Sequence, residues 1–210
     1  MKRAFFLFFI LVMIFPLQSS ANEIDLKGWT GMSISYKLGK AKLKLEEEWR
    51  FGSGISSFDY KHTDLGVKAN LLKDKGVKLS TSFNFRQVYT KKGGVYERED
   101  RPHTNLELKV PGGKRLVISN RLRLENRFKD NFSTRWRNKL GIKLTLGDEI
   151  DLLISDEVFL SEKKGFEKNR AFIGVELAAN KNVSLLPFHI WQKSNSKSDH
   201  VFGLYTKLKF

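Results

Sequence analysis

Apolar and polar residues alternate one for one over most of the chain from residue 29 onward, and no other feature restricts its fold as strongly. Between residues 41 and 51, Ala41, Leu43, Leu45, Glu47, Trp49 and Phe51 fall on one side of a two-residue period. Lys42, Lys44, Glu46, Glu48 and Arg50 fall on the other. A helix would scatter these residues around its circumference, whereas a strand sorts them into one mostly apolar and one charged face. The sorting recurs at 76–89, 103–110, 114–128 and 132–146, and less tidily at 29–38, 58–71, 149–160, 168–179, 182–192 and 200–210. With 41–51 these make eleven periodic segments, and none after residue 29 has helical spacing.

The connections alternate too. "LGKA", "KDKG", "PGGK", "GDE" and "NKN" have tight hairpin composition, while "GSGIS", "KKGGVYERED", "KDN", "SEKKG" and "KSNSKSD" are mostly longer and more polar. An up-and-down antiparallel meander whose two ends face different surroundings accounts for this. Two objects fit it: a water-soluble barrel or sandwich with its apolar face inward, and a transmembrane barrel with its apolar face outward.

Four features favour the second. The segments 76–90, 114–128 and 132–146 span about fifteen residues, against about 5–6 for an ordinary strand and about 9–11 for a tilted membrane strand. The chain ends in "HVFGLYTKLKF", with Phe210 last and Leu208, Thr206, Leu204 and Phe202 in phase with it. Aromatics gather at the strand ends beside the longer connections, where Trp49, Phe51, Tyr60, Tyr89, Phe128, Trp136 and Trp191 are expected to form a girdle at headgroup level. Nearly all arginines sit on polar strand faces, as they must if the other face meets lipid.

The N-terminus fits export. Lys2 and Arg3 precede an apolar run from Ala4 to Phe15, and Ser19, Ser20 and Ala21 follow it. A positive start, a short apolar stretch and a small-residue exit define a signal peptide over 1–21, cleaved after Ala21. Residues 22–210 are then one domain, expected to be a transmembrane barrel of 10–12 strands. Twelve is preferred, because single-chain bacterial barrels have even counts. The extra strand would come from Glu23–Lys27, unless that segment enters the lumen.

Composition narrows the chemistry. There is no cysteine, so disulfides, thiol nucleophiles and thiolate metal sites are excluded. The net charge is +15, from 38 basic and 23 acidic residues. Export and the lack of a binding module argue against nucleic acid as the partner. The cations point instead to anionic solutes and, through loop lysines such as Lys91, Lys92 and Lys193, to outer-membrane lipids and lipopolysaccharide.

Trp29, Arg50, "RLRLENRF", "RWRNKL", "DEVF" at 156–159, "FEKNRAFIGVEL" at 166–177 and the final "HVFGLYTKLKF" occur in an order that resembles a family of Gram-negative outer-membrane barrels, domain of unknown function 2490. The resemblance covers most of the chain after residue 21. It implies a barrel in the outer membrane and supplies no catalytic residues. A terminal phenylalanine in phase with an apolar face also resembles the signal that barrel-assembly machinery recognises, which gives Phe210 that role.

The candidate site is the polar face. Arg50, Arg86, Arg121, Arg123, Arg127, Arg135, Arg137 and Arg170, with Glu107, Glu125, Glu157 and Glu176, are expected to line one lumen. Two uses are open: a packed ionic network that closes the interior, or a cationic wall that attracts anions. His62 beside Asp64 and His200 beside Asp199 are the nearest approach to a hydrolase pair, but no nucleophile motif accompanies them. The expectation is therefore a non-enzyme without a cofactor. No metal is expected either, since no histidine cluster has a ligand spacing. Asn120, Asn138 and Asp156 fall on the apolar face. They call for partners across a hairpin or for a bulge that turns them inward.

Overall fold

The computed structural model describes residues 25–52, 55, 57–163, 165–194 and 197–210. The expected signal segment lies outside the described residues. The chain forms β1 (Asp25–Leu38), β2 (Ala41–Phe51), β3 (Phe58–Asp74), β4 (Val77–Lys92), β5 (Val95–Pro111), β6 (Leu116–Arg127), β7 (Ser133–Gly147), β8 (Ile150–Ser161), β9 (Gly165–Ala178), β10 (Val183–Ser194) and β11 (Ser198–Lys209). Each pairs with its sequence neighbour in antiparallel fashion, and β1 pairs with β11 to close a barrel.

The closing pair is parallel. Its register runs from Asp25 beside Asp199 to Ser35 beside Lys209. This corrects the expected strand number: eleven periodic segments make eleven strands, and no twelfth occurs among the described residues. An even count follows only when the first and last strands close antiparallel. Here Asp25–Lys27 extend β1 along β11 and form no strand of their own. Backbone bonds from Phe210 N–H to Ser35 O (2.8 Å) and from Lys37 N–H to Phe210 O (3.1 Å) carry the seam to the last residue.

The tight turns expected at one rim are present, at 39–40, 75–76, 112–115, 148–149 and 179–182. The opposite rim differs from expectation at one place. Residues 91–100 are not a loop: β4 and β5 continue to a two-residue turn at Gly93 and Gly94, with φ of 55° and 86°. Positive φ at both central residues matches the twist of a hairpin, and glycine reaches it without a Cβ clash.

Alternation works as the sequence implies. In β5, Glu99, Arg101, His103 and Asn105 are buried while Leu106 and Leu108 are exposed. Among the described residues, the buried set holds seven hydrophobic side chains and nineteen polar or charged ones, the inverse of a water-soluble core. Thirty-three large hydrophobics among the described residues are exposed instead, including Leu45, Phe83, Leu122, Leu140 and Leu204. A barrel with this surface is matched to a hydrocarbon solvent.

The polar residues on the apolar face find partners there. Asn120 and Asn138 are diagonal neighbours across β6 and β7, and the Asn120 Nδ2 donates to Asn138 Oδ1 at 2.7 Å. Asp156 accepts from Asn169 Nδ2 at 3.2 Å. The β8 register is regular there and shifts only near its ends, so no bulge turns Asp156 inward. His189 and His200 meet at 3.0 Å.

Glycine sets the packing near the seam. Gly203 lies beside Phe188 and Trp29. A Cβ at Gly203 would stand 2.2 Å from Phe188 Cζ and 2.4 Å from the Trp29 carbonyl oxygen. At Gly147 a Cβ would meet nothing within 4 Å. Gly203→Val is therefore expected to destabilise the barrel by about 1–3 kcal/mol through overpacking. Gly147→Ala should stay within about 0.5 kcal/mol of the parent protein. Denaturant midpoints of the two variants in detergent, read against the parent, check this.

Candidate functional site

All twelve expected lumen residues point inward, because each shares the phase of its strand's polar face. They do not form one uniform wall. On β6, β7 and β8 the charges make a continuous chain. Glu125 is fully buried and accepts from Arg135 Nη2 and from Arg137 Nη1, the latter at 3.2 Å. Arg137 turns its other edge to Glu157 with bonds of 3.1 and 2.9 Å, and Arg121 adds a bond of 2.9 Å to Glu157. The alternating order Arg135–Glu125–Arg137–Glu157–Arg121 gives each enclosed carboxylate two guanidinium partners, as burial of these charges requires.

Neighbouring strands repeat the pattern on a smaller scale. Arg101 and Arg127 share Glu99, at 2.6 and 2.5 Å. Arg86 donates to Asp64 at 2.7 Å, and Asn84 donates to the same carboxylate at 2.8 Å. Arg50 pairs with Glu48 at 2.6 Å and lies between the Trp29 and Tyr60 rings, at 3.9 and 4.0 Å from their centroids. Toward the tight-turn rim, Glu107 pairs with Lys68 and Lys109, and Glu176 with Lys207 and Lys209.

Tyr60 is a correction. Expected in the aromatic girdle, it lines the lumen, because it shares the phase of His62 and Asp64 on β3. The other girdle residues keep the outward phase, with Phe128, Trp136 and Trp191 about half exposed.

The sequence reading missed an apolar wall. Trp29, Leu186, Phe188, Ile190 and Val201 form a buried cluster inside the barrel, with Leu153, Phe172 and Tyr205 packed against it. The Phe172 and Phe188 rings stack at 5.5 Å, and Phe188 meets Tyr205 at 5.6 Å. A signal was present: "LLPFHI" at 185–190 is apolar on both faces, which marks a strand lacking a polar side.

Between the ionic chain and this wall lies a cavity of about 390 Å³. Arg123, Lys139, Lys168 and Arg170 line it, and none has a carboxylate within 4.0 Å among the described residues. Arg123 donates to Asn105 at 2.7 Å and Arg170 to Gln192 at 2.7 Å, while the Arg170 Nε is buried without a partner. Lys139 stands 5.3 Å from the Phe172 ring, and Lys168 and Arg170 each stand 5.0 Å from the Phe159 ring.

His62 and Asp64 both face inward and line the cavity, and His62 meets Glu46 at 3.3 Å. Asp199 faces inward and His200 outward, as adjacent strand residues must, so the two cannot act on one group. Among the described residues, no group of three or more His, Asp or Glu side chains is placed to hold a metal ion.

The fold and its interior define a closed, mostly antiparallel β-barrel with an apolar exterior and a charged lumen. Residues 26–202 match the model of the family described as protein of unknown function, DUF2490, and the chain belongs to that family. No curated protein matches it. Among solved structures it is similar to an anion-selective porin from Comamonas acidovorans, at 11% identity over 80% of this chain and 82% of that one, with a TM-score of 0.38. It is also similar to the translocator domain of the autotransporter NalP from Neisseria meningitidis, at 16% identity over 76% and 69% of the two chains, with a TM-score of 0.40.

The ionic chain has a measurable consequence. Glu125→Gln leaves Arg135 and Arg137 enclosed with half their compensation. The expected loss is about 3–5 kcal/mol, the size associated with breaking a buried pair. Glu97→Gln, which removes an exposed partner of Lys92 and Lys129, should leave the unfolding midpoint unchanged. Equal effects of the two substitutions on unfolding in detergent would contradict this assignment.

Proposed function

We propose that this chain is an outer-membrane barrel of a Gram-negative bacterium, exported by its N-terminal signal segment, whose cationic lumen takes in small anionic solutes. The membrane location is supported by the exposed apolar surface, which water would penalise and hydrocarbon would not. The solute reading rests on one observation: Arg123, Lys139, Lys168 and Arg170 face a cavity of about 390 Å³ and have no carboxylate within 4.0 Å among the described residues. A basic pore wall with excess charge favours anions by simple electrostatics. The role proposed is binding or passage, with no chemical step. The surrounding partners would be outer-membrane lipids and lipopolysaccharide, and during biogenesis the assembly machinery that reads Phe210.

A second reading has its own observation. The fully buried Glu125 and its two arginines occupy part of the cross-section and favour a structural barrel with a closed lumen that maintains the envelope. Planar-bilayer recording in a KCl gradient separates the two. The first reading expects a small current with reversal shifted toward the chloride potential. Cation preference would refute it, and a barrel that folds but passes no current and binds no anion would favour the structural reading.

A further inference from the structure

We infer that the anion taken by this lumen carries an aromatic or otherwise apolar body, and that it binds with its charge on Lys139, Lys168 and Arg170 and its body on the wall of Phe172, Phe188 and Tyr205. This rests on the anion-binding reading and goes beyond it by naming the site and the chemical class.

Three observations converge. The first is the imbalance of charge. Lys168 shares the cavity wall with Arg50, Arg135, Arg137 and Arg170, and has no carboxylate within 4.0 Å among the described residues. Half-buried cations grouped together repel one another unless something offsets them. The carboxylates nearby are already engaged: Glu125 by Arg135 and Arg137, and Glu157, which stands opposite Lys139 and Arg170 in register but beyond 4.0 Å of their charged groups, by Arg137 and Arg121. An incoming carboxylate or phosphate would supply the missing negative charge.

The second is where these cations lie relative to the aromatic rings. Lys168 and Arg170 lie 5.0 Å from the Phe159 ring, Arg170 lies 4.9 Å from Trp29, and Lys139 lies 5.3 Å from Phe172. Ring faces stand in for an anion here, and they are weaker partners than a charged oxygen. The buried Arg170 Nε, with no acceptor, remains available as a donor.

The third is the opposite side of the same cavity. A lumen used only for inorganic ions has no need of inward aromatics, yet Phe172, Phe188 and Tyr205 line this one. Water against these rings is released when an apolar group covers them. The volume, about 390 Å³, falls within the usual span of small-molecule sites. A bare phosphate would leave the wall wet, and a neutral aromatic would leave the cations unpaired. Only a molecule with both parts satisfies both surfaces.

The test is binding to the folded full-length barrel in detergent, by calorimetry, with four probes: 2-naphthoate, 2-naphthol, acetate and inorganic phosphate. The expected result is that naphthoate binds and each of the other three is at least about tenfold weaker, the worth of one well-placed interaction. Lys168→Gln and Lys139→Gln should each weaken naphthoate about tenfold, while Lys92→Gln, exposed at the loop rim, should leave it unchanged. Phe172→Leu should weaken naphthoate and leave acetate unaffected. A stability readout keeps the assignment testable apart from binding. Removing an uncompensated cation should raise the melting temperature of the empty Lys168→Gln barrel by a few degrees, so a lower melting temperature would mean that Lys168 has a structural partner and would overturn its role. Acetate or phosphate binding as tightly as naphthoate would overturn the inference and leave the anion reading intact. Naphthol binding as tightly as naphthoate, or no binding by any anion, would overturn both.

Discussion

Charge enclosed in a narrow space must be compensated within it, and the interior of this barrel is organised by that demand. Glu125 is fully buried, so its charge is tolerable only because Arg135 and Arg137 reach it from the neighbouring strand. Cross-strand register puts Arg123 opposite Arg137 and Arg121 opposite Lys139, which are like charges in direct opposition. The glutamates on diagonal positions make these pairings possible. The diagonal placement of opposite charges therefore matters as much as the alternation of polarity along each strand. It ties β6, β7 and β8 together by side chains as well as by backbone.

Compensation is incomplete where β9 enters. Lys168 and Arg170 add two charges to a region whose acids are already occupied. On the far side the wall turns apolar, with Phe188 seated over Gly203 and Tyr205 over Gly31. The barrel thus joins two interiors: an ionic half in which arginines share each carboxylate, and an aromatic half that resembles an ordinary core. The cavity lies where the two meet.

Much of this could be read from residue order, and the gaps have physical causes. The stretch Leu116–Arg127 declared its strand, its inward arginines and its one awkward asparagine, and the Asn120–Asn138 bond follows from hairpin register alone. The count of eleven periodic segments was also legible. The twelfth strand came from a rule about antiparallel closure, and alternation within a strand carries no information about how the first and last strands meet. Gly93–Gly94 was hidden inside a polar run because charged residues such as Glu97 and Glu99 belong equally well to a strand that faces a lumen. Tyr60 was misplaced because an aromatic near a strand end suits either face, and only its phase with His62 decides. The apolar wall was missed because period-two reasoning looks for contrast between faces, and β10 has little.

The parallel seam between β1 and β11 has a consequence in time. Residues 25 and 199 must meet for the sheet to close, and every other pairing is between consecutive strands. The other ten pairings join consecutive strands and close only short loops, whereas the seam joins the first strand to the last and bears the largest loop-closure entropy. Until the seam forms, β1 presents an unpaired edge. An interrupted chain lacking its last dozen residues would be an open sheet with two free edges, a form prone to pair with other chains. Commitment to the native state in this barrel is therefore postponed to its C-terminal strand, and quality control acting on that strand would monitor the completeness of the whole.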